Sequence, residues 1–348
     1  MKLSVVATLY KSEHYLDEFC RRASIAAQQL VGDSYEIILV NDGSPDNCLA
    51  CAIQITKINH HFILIDLSRN FGHHKAMMTG LSYAKGELIF LIDSDLEEEP
   101  EWLISFASHM ASTNCDVVYG IQDQRQGSFW ERCSGRIFYS LFSLFSGLNM
   151  PANIVVARLM SRRYVNALLR HEERELFMAG LWHVTGFEQQ SQVVHKHNTS
   201  ETTYSLRHKV ELFVNSITSF SNLPLVSIFY IGIIILFIAG TYASYLIINR
   251  LIFHTILSGW TSVMASVWFL GGLIVSFIGV IGIYLSKIFI ESKQRPYTIV
   301  RHIYKNNNSI LNGVNEIFST KNERQGDILD EVGCFNSMIE NTIEREIK

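Results

Sequence analysis

Two aspartates separated by one residue, in Asp93-Ser94-Asp95, form the pair best suited to chemistry in this sequence. They follow an apolar run, Leu88–Ile92, that is typical of a buried strand. Carboxylates at a strand end can reach one hard cation, and oxygen ligands suit Mg²⁺ or Mn²⁺, which also hold phosphates. The alternative is a pair of solvated loop carboxylates, or a charged helix N-terminus formed with Glu97–Glu99. The preceding strand and another carboxylate, Asp42, favour the cation site.

Asp42 ends a second apolar run, in Asn41-Asp42-Gly43-Ser44. A carboxylate there can accept hydrogen bonds from the base or ribose of a nucleotide, or can simply form the turn as an Asx residue. The sequence has no GxxxxGK[ST] motif, which disfavours a kinase or ATPase. It also lacks GxGxxG after the first strand, which disfavours a nicotinamide dehydrogenase. The nucleotide hypothesis therefore depends on carboxylates at strand ends.

The elements that must position these carboxylates alternate along the N-terminal third of the chain. Short β-branched runs predict strands at Leu3–Thr8, Tyr35–Val40, Phe62–Leu67, Leu88–Ile92 and Asp116–Tyr119. Helix-length segments lie between them, at Ser12–Leu30, Pro45–Ile58, His74–Lys85 and Pro100–Ser112. Continuous apolar strands alternating with helices predict an α/β fold with a mostly parallel, Rossmann-like sheet covered on both faces. Ligands bind such sheets at the carboxyl ends of the strands, where the aspartates fall.

Two long apolar segments follow this region, Leu225–Ile248 and Val263–Ser286. Each has 24 residues, and a helix of that length spans ~36 Å, enough to cross a hydrocarbon core of ~30 Å. The stretch between them carries only Arg250 as a fixed positive charge, whereas Lys and Arg are frequent outside the pair. The positive-inside bias therefore predicts a transmembrane hairpin with both flanks in the cytoplasm.

These patterns predict six regions. They are a cytoplasmic catalytic domain (1–205), an interfacial amphipathic helix (206–224), a first transmembrane helix (225–248), a short external loop (249–262), a second transmembrane helix (263–286) and a cytoplasmic C-terminal tail (287–348). Small residues recur every seventh position in the second span, so a homo-oligomer formed through these helices is one expectation and packing on the first span is the other.

Composition agrees with a membrane protein. Charged residues make up 18% of the chain, below the roughly 25% of a typical soluble domain. The net charge is −4, which argues against a dedicated nucleic-acid binder because such proteins carry a basic excess.

The motifs together resemble glycosyltransferase family 2, and within it the polyprenyl-phosphate enzymes such as dolichol-phosphate mannose synthase and the bacterial undecaprenyl-phosphate glucosyl and aminoarabinosyl transferases. The residues that carry the resemblance are Asn41-Asp42-Gly43-Ser44, Ser68-Arg69-Asn70-Phe71-Gly72 and Asp93-Ser94-Asp95-Leu96, followed by two late apolar segments. The resemblance implies a GT-A fold, a nucleotide-diphosphate sugar donor, Mg²⁺ or Mn²⁺, and an inverting transfer to a lipid phosphate.

The resemblance also implies roles for individual residues. Asp93 and Asp95 are expected to be catalytic. The expected nucleotide-sugar ligands are Tyr10, Glu13, Asp42, Arg69 and Asp93, and the expected metal ligands are Asp93, Asp95 and Glu97. Contacts to the diphosphate or the lipid phosphate are expected from Arg125, Arg158, His197 and Lys209.

Several positions depart from the family pattern. The family's Gly-Asp-Phe-Arg stretch reads Val155-Val156-Ala157-Arg158, so Val156 replaces an aspartate often proposed as a base. An arginine and a lysine of the R-x-x-G-x-S-K segment fall at His197 and Thr203, and Lys196 is one candidate to supply the charge. A phosphate monoester is mostly dianionic at neutral pH and needs no base, whereas a sugar hydroxyl does. Val156 is therefore compatible with transfer to polyprenyl phosphate.

The sequence thus predicts a glycosyltransferase of the bacterial inner membrane that transfers one sugar to undecaprenyl phosphate. One alternative is transfer to a sugar hydroxyl of a lipid-linked oligosaccharide. Another is a non-catalytic membrane scaffold that keeps the fold, which the departures at Val156, His197 and Thr203 favour and the intact Asp93-Ser94-Asp95 opposes. His73 and His74 are expected to cap a helix or contact phosphate, and Trp182 is expected to be a packed aromatic.

Overall fold

The computed structural model describes residues 1–122, 153–196, 214, 218, 221–253, 259–306 and 311–312. Its strands are β1 (Leu3–Leu9), β2 (Tyr35–Asn41), β3 (Phe62–Leu67), β4 (Leu88–Asp93), β5 (Val117–Gln122), β6 (Ile154–Ser161), β7 (Gln189–Val194), β8 (Val300–Tyr304) and β9 (Leu311–Asn312). Its helices are α1 (Glu13–Val31), α2 (Cys48–Ile58), α3 (His73–Tyr83), α4 (Trp102–Thr113), α5 (Arg162–Leu168), α6 (Met178–Val184), α7 (Leu223–Phe253) and α8 (Trp260–Ser292).

The strands form one sheet in the order β7-β5-β6-β4-β1-β2-β3-β8-β9. Its centre, β4-β1-β2-β3, is parallel, as the alternation of apolar strands and helices predicts. Thr8 pairs with Asp93, Leu9 with Asn41, and Asn41 with Asp66. The register therefore brings the carboxyl ends of four strands to one edge, where the predicted site residues follow.

Both faces of the sheet are covered, because its central strands are apolar on both sides. One core contains side chains from α1, α2 and α4, and the other contains side chains from α3, α5 and α6. Gly80 of α3 lies so close to β1 that a Cβ there would sit 2.4 Å from Cγ1 of Val6. This tight packing holds α3 against β1, and at the start of α3 the His73 ring contacts the Thr8 hydroxyl at the carboxyl edge of the sheet.

Two antiparallel strands flank the parallel centre. On one side β6 pairs with both β4 and β5, which places the Val155–Arg158 stretch beside the end of β4. On the other side β8 pairs with β3. The predicted C-terminal tail, 287–348, is wrong for residues 300–304, because these residues form a strand of the catalytic sheet. The sequence does not indicate this strand because buried and exposed positions do not alternate regularly over its five residues.

The apolar segments form α7 and α8, which cover the predicted spans 225–248 and 263–286 and extend beyond them. Within the described residues, one helical stretch, Ser266–Ser292, is long and apolar enough to cross a membrane, judged by length and composition alone. The two-helix hairpin and the loop 249–262 stay predictions. Most of the predicted interfacial helix, 206–224, lies outside the described residues.

The last turns of α8 contact the catalytic domain. Lys287 forms an ion pair with Glu175, and the carboxylate of Glu291 accepts a hydrogen bond of 2.7 Å from the backbone N–H of Arg174. The apolar helix is therefore attached to the loop that precedes α6.

Candidate active site

Asp93 is the last residue of β4, and its carboxylate stands at the carboxyl edge beside the start of α3. Nε2 of His73 lies 3.2 Å from Oδ1 of Asp93, and Nδ1 of the same ring lies 3.0 Å from the hydroxyl of Thr8. Burial opposes a charge on the His73 ring, but Asp93 raises the pKa of His73. Apart from this contact with His73, the buried Oδ1 atom of Asp93 has no hydrogen-bond partner among the described residues.

Asp95 and Glu97 are held by a tight turn. Leu96 adopts a left-handed backbone with φ of 58°, which is uncommon for a branched side chain and is typical of functional turns. The turn lets Oδ1 of Asp95 accept a hydrogen bond of 3.0 Å from the N–H of Glu97. Burial, and then the charge of Asp93, raise the pKa of Asp95.

Glu97, predicted as a metal ligand, is paired in this structure with a lysine. Nζ of Lys196 lies 2.9 Å from Oε2 of Glu97, and both side chains are largely buried. Burial opposes the charge of Lys196, but Glu98 and Glu97 together raise its pKa. Lys196 therefore supplies positive charge to this site, as one of the sequence expectations proposed.

Glu98, which the sequence pattern places only in the charged group Glu97–Glu99, lies beside Asp93 and Asp95 in the structure. Its side chain is fully buried, and Oε1 accepts a hydrogen bond of 2.9 Å from the N–H of Val156 on β6. Burial, followed by the charge of Asp93, raises the pKa of Glu98 to about 8. A carboxyl group thus lies against the backbone of Val156, the position where the family pattern has an aspartate.

Arg158 is placed differently from the prediction. It was expected to contact a phosphate, but its side chain is buried, with 1% of the residue exposed. Its guanidinium donates to the carbonyls of Val155 and Val156 and lies 2.9 Å from the centre of the Trp182 ring. Burial lowers the pKa of Arg158. The prediction of a phosphate contact is wrong because β6 turns this residue into the core, and Trp182 is the packed aromatic expected.

The predicted phosphate contacts at Arg125, His197 and Lys209 lie outside the described residues.

The balance of charge at this edge fits a divalent cation. The acidic side chains are those of Asp93, Asp95, Glu97 and Glu98, and the nearby fixed cations are Lys196 and the buried Arg158. Oxygen ligands are those that Mg²⁺ and Mn²⁺ prefer. Among the described residues, however, no group of three or more histidine, cysteine, aspartate or glutamate side chains is arranged to hold a metal ion. A cation held by Asp93 and Asp95 therefore stays a prediction.

The second half of the edge, at the ends of β2 and β3, is built around Asp42. Its carboxylate is buried and accepts hydrogen bonds from the N–H of Phe71 at 2.7 Å and of Gly72 at 3.0 Å. Burial raises the pKa of Asp42 although the two amides lower it. Asp42 therefore anchors the loop after β3 and does not form an Asx turn, since the local hydrogen bond from the N–H of Ser44 goes to Oδ1 of Asn41. Contact of Asp42 with a nucleotide stays a prediction.

Gly43 lets this turn pack against the loop after β3. It has φ of 60°, and a Cβ there would lie 2.5 Å from the backbone nitrogen of Asn70. Arg69, in the same loop, is exposed and its guanidinium lies 4.2 Å from the centre of the Phe71 ring.

Tyr10 and Glu13 follow β1 on the same edge. Tyr10 is 48% exposed, so its ring is open to a ligand. Glu13 accepts hydrogen bonds from the backbone N–H and the side-chain amide of Asn47, at 3.1 and 3.2 Å. Here Glu13 caps the start of α2, and its predicted role in binding the nucleotide sugar is untested.

Comparison with known proteins gives the family. Residues 4–169 match the model of glycosyl transferase family 2. A Mycobacterium tuberculosis protein whose name gives only the general class, glycosyltransferases, is 49% identical over 304 residues, covering 87% of this chain and 89% of the relative. The bactoprenol glucosyl transferase of Shigella phage SfV is 30% identical over 306 residues, covering 87% and 99%. The chain belongs to glycosyl transferase family 2 and is a glycosyltransferase with the mixed α/β, GT-A fold.

Among solved structures, the chain is similar to S. aureus TarS 1–349 in complex with UDP-GlcNAc. The two share 18% sequence identity with a TM-score of 0.42, over 63% of this chain and 66% of TarS 1–349.

Proposed function

We propose that this glycosyltransferase transfers one monosaccharide from a nucleotide-diphosphate sugar to a polyprenyl phosphate, with inversion at the anomeric carbon. The observation that carries the proposal is the acidic edge at Asp93–Glu98. Among the described residues, carboxyl groups crowd together there, and the charge of Asp93 raises the pKa of both Asp95 and Glu98 in addition to burial. Two relatives support a lipid-phosphate acceptor by their names: the bactoprenol glucosyl transferase of Shigella phage SfV and the prophage bactoprenol glucosyl transferase homolog of Escherichia coli K12.

The donor lies along the carboxyl edge in this proposal. The exposed Tyr10 ring would meet the base, and the exposed Arg69 would face the donor from the loop after β3. Asp93 and Asp95 would hold Mg²⁺ or Mn²⁺. A bound divalent cation supplies positive charge against the negative charge that develops on the leaving nucleotide diphosphate. Lys196 adds a second positive charge at the same place.

The acceptor needs little activation in this proposal. A phosphate monoester is already an anion at neutral pH and attacks the anomeric carbon directly. Val156 offers no base, and Glu98, which lies against it, is fully buried and hydrogen-bonded to its N–H. Among the described residues next to Val156, none offers an exposed base, and this favours a phosphate over a sugar hydroxyl as the nucleophile.

The membrane part places the site at the lipid headgroups. We propose that α7 and α8 form the hairpin with the catalytic domain in the cytoplasm. The contact of Lys287 with Glu175 then holds the catalytic domain close to the end of α8. This placement reduces the positional freedom of site and lipid phosphate relative to each other.

The experiment is a transfer assay with the purified full-length protein in detergent. Radiolabelled uridine- and guanosine-diphosphate sugars are offered with undecaprenyl phosphate and Mg²⁺ or Mn²⁺. The lipid product is then analysed by mass spectrometry. We expect one sugar on a lipid monophosphate, and no product in the presence of a chelator.

Two results would contradict the proposal. Sugar transfer that persists in the presence of a chelator would show that the reaction needs no divalent cation. A product formed only with a lipid-linked oligosaccharide, carrying an extended glycan, would replace the phosphate acceptor by a sugar hydroxyl.

A further inference from the structure

The chain returns from its apolar helix directly into the catalytic sheet. After α8 ends at Ser292, the backbone N–H of Ser68 donates to the carbonyl of Ile299 at 2.9 Å, and β8 then pairs antiparallel with β3. The Thr298 and Thr79 hydroxyls lie 2.8 Å apart, which joins the same segment to α3. The loop after β3, Ser68–Gly72, is therefore bordered by residues that follow the membrane part.

The pairing of β8 with β3 contains a β-bulge. Asp66 pairs with His302 but the next residue, Leu67, pairs with Val300, so Arg301 is the extra residue on β8. Val300 and Ile303 are both buried in one core although three positions separate them, and regular alternation would place them on opposite faces. The bulge thus turns Arg301 toward the face of the sheet that carries Asp66. Bulges commonly re-aim a side chain in this way near active sites.

Arg301 meets two groups on that face. Nη1 lies 3.6 Å from Oδ2 of the buried Asp66, and Nη2 donates to the carbonyl of Ser68. The other oxygen of Asp66 accepts a hydrogen bond of 2.8 Å from the side-chain amide of Asn41. The Arg301 guanidinium of β8 therefore joins the end of β3 to the start of the following loop, and Asp66 is in turn bonded to the end of β2.

This linkage leads to the predicted donor subsite. Ser68 begins the loop whose Phe71 and Gly72 amides are bound by Asp42, and whose backbone at Asn70 packs on Gly43. Arg69, the predicted nucleotide-sugar ligand, lies between these anchors. A change in the position of Ser68 would move Arg69 relative to Tyr10, which lies after β1 at the same edge of the sheet.

We propose that Arg301 is a positioning residue for the sugar-nucleotide donor, which holds the loop Ser68–Gly72 in place through Asp66 and the Ser68 carbonyl. The role in donor binding rests on the proposed function, whereas the anchoring of the loop does not. The donor subsite is then completed only when the chain has returned from the membrane helices.

The first test measures hydrogen exchange in the full-length protein without ligands. We compare Arg301→Ala with Arg295→Ala, which removes an exposed arginine from the connection between α8 and β8. Arg301→Ala is expected to speed exchange of the Phe71 and Gly72 amides about tenfold, because the loop opens locally more often. Arg295→Ala should leave exchange unchanged, and Arg301→Lys should give an intermediate rate. Equal exchange in all the proteins would overturn the proposal.

The second test uses steady-state transfer kinetics with the donor found for the wild type. Arg301→Ala is expected to raise KM for the donor about tenfold while kcat and the acceptor KM stay within about twofold, the pattern of lost ground-state binding. Arg301→Lys should recover part of the donor KM. Faster exchange with an unchanged donor KM would overturn the donor role. Failure of the wild type to transfer any sugar would contradict the proposed function, and hydrogen exchange would still decide whether Arg301 anchors the loop.

Discussion

Two groups of carboxylates end neighbouring strands of the same sheet, and their surroundings differ. Asp42 and Asp66, at the ends of β2 and β3, are buried and are contacted by backbone amides, an asparagine amide and an arginine. Burial raises the pKa of Asp42, but the amides of Phe71 and Gly72 lower it. The acidic residues that follow β4 are also buried or half-buried, but there a like charge adds to burial, since Asp93 raises the pKa of both Asp95 and Glu98.

The difference separates carboxylates that position the backbone from carboxylates that can bind a ligand. A buried charge is tolerated when hydrogen bonds and counter-charges surround it, whereas neighbouring buried carboxylates are relieved by protonation or by a bound cation. We therefore expect the end of β4 to be the reacting part of the site and the ends of β2 and β3 to be its support.

Asp95→Asn should give the largest effect. The amide keeps the hydrogen bond from the N–H of Glu97 but loses the negative charge, so we expect transfer to fall about a thousandfold or more, as for loss of a principal electrostatic contact. Thermal stability should be equal to that of the wild type or higher, because burial already disfavours the charged form. The measurement is Mg²⁺-dependent transfer together with thermal unfolding.

Asp33→Asn is the matched control, since Asp33 is exposed in the turn between α1 and β2. It should transfer at the wild-type rate. If Asp95→Asn kept more than about a tenth of the wild-type transfer rate, the carboxylates after β4 would not be the reacting part of the site.

Asp42→Ala should act mainly on stability. It leaves the Phe71 and Gly72 amides without their acceptor, so we expect the free energy of unfolding to fall by about 1 to 3 kcal/mol. Asp42→Asn, which keeps one acceptor oxygen, should lose less. Denaturant unfolding of the three proteins checks this order. A variant as stable as the wild type, with transfer lost, would place Asp42 among the binding residues instead.

Tyr10→Ala tests an exposed residue at the same edge of the sheet. Because the ring is 48% exposed, its removal should leave the unfolding temperature unchanged. The donor KM should rise about tenfold, which corresponds to roughly 1.4 kcal/mol of lost contact with the base. Tyr10→Phe keeps the ring and should resemble the wild type in the same kinetics. An unchanged donor KM in Tyr10→Ala would remove this residue from the donor subsite.

Glu98→Gln should give the smallest effect, seen as a change in pH dependence. Burial raises the pKa of Glu98 to about 8 from a usual 4.5, so between these values the folded protein keeps a proton that the unfolded chain has released. Folding stability therefore falls as pH rises through this window, by at most about 1.4 kcal/mol per pH unit. Glutamine has no such proton, and the variant should lose this slope.

The measurement is denaturant unfolding of both proteins in a chelator from about pH 5 to about pH 8. The stability of the variant relative to the wild type should increase with pH. Parallel curves would show that Glu98 is ionised in the folded protein throughout.

Much of the catalytic fold was predictable from local pattern. The five strands and four helices of the first 120 or so residues were predicted nearly at their observed bounds, since each is a continuous apolar run or an apolar stripe between turn residues. The strand ends, and with them Asp42, Asp93 and Asp95, followed from those bounds. Arg158 was misjudged, because a charged residue in a short strand gives no sign that it will be buried.

The sequence by itself determined which residues lie at the carboxyl edge, because strand period and parallel connection are properties of neighbouring residues. Only the tertiary structure decided that Glu98 binds the backbone of Val156 and that Arg301 reaches Asp66. Both contacts join distant parts of the chain, one through an antiparallel strand and the other through a bulge. No local spacing records such contacts, since they arise only when the strands are paired.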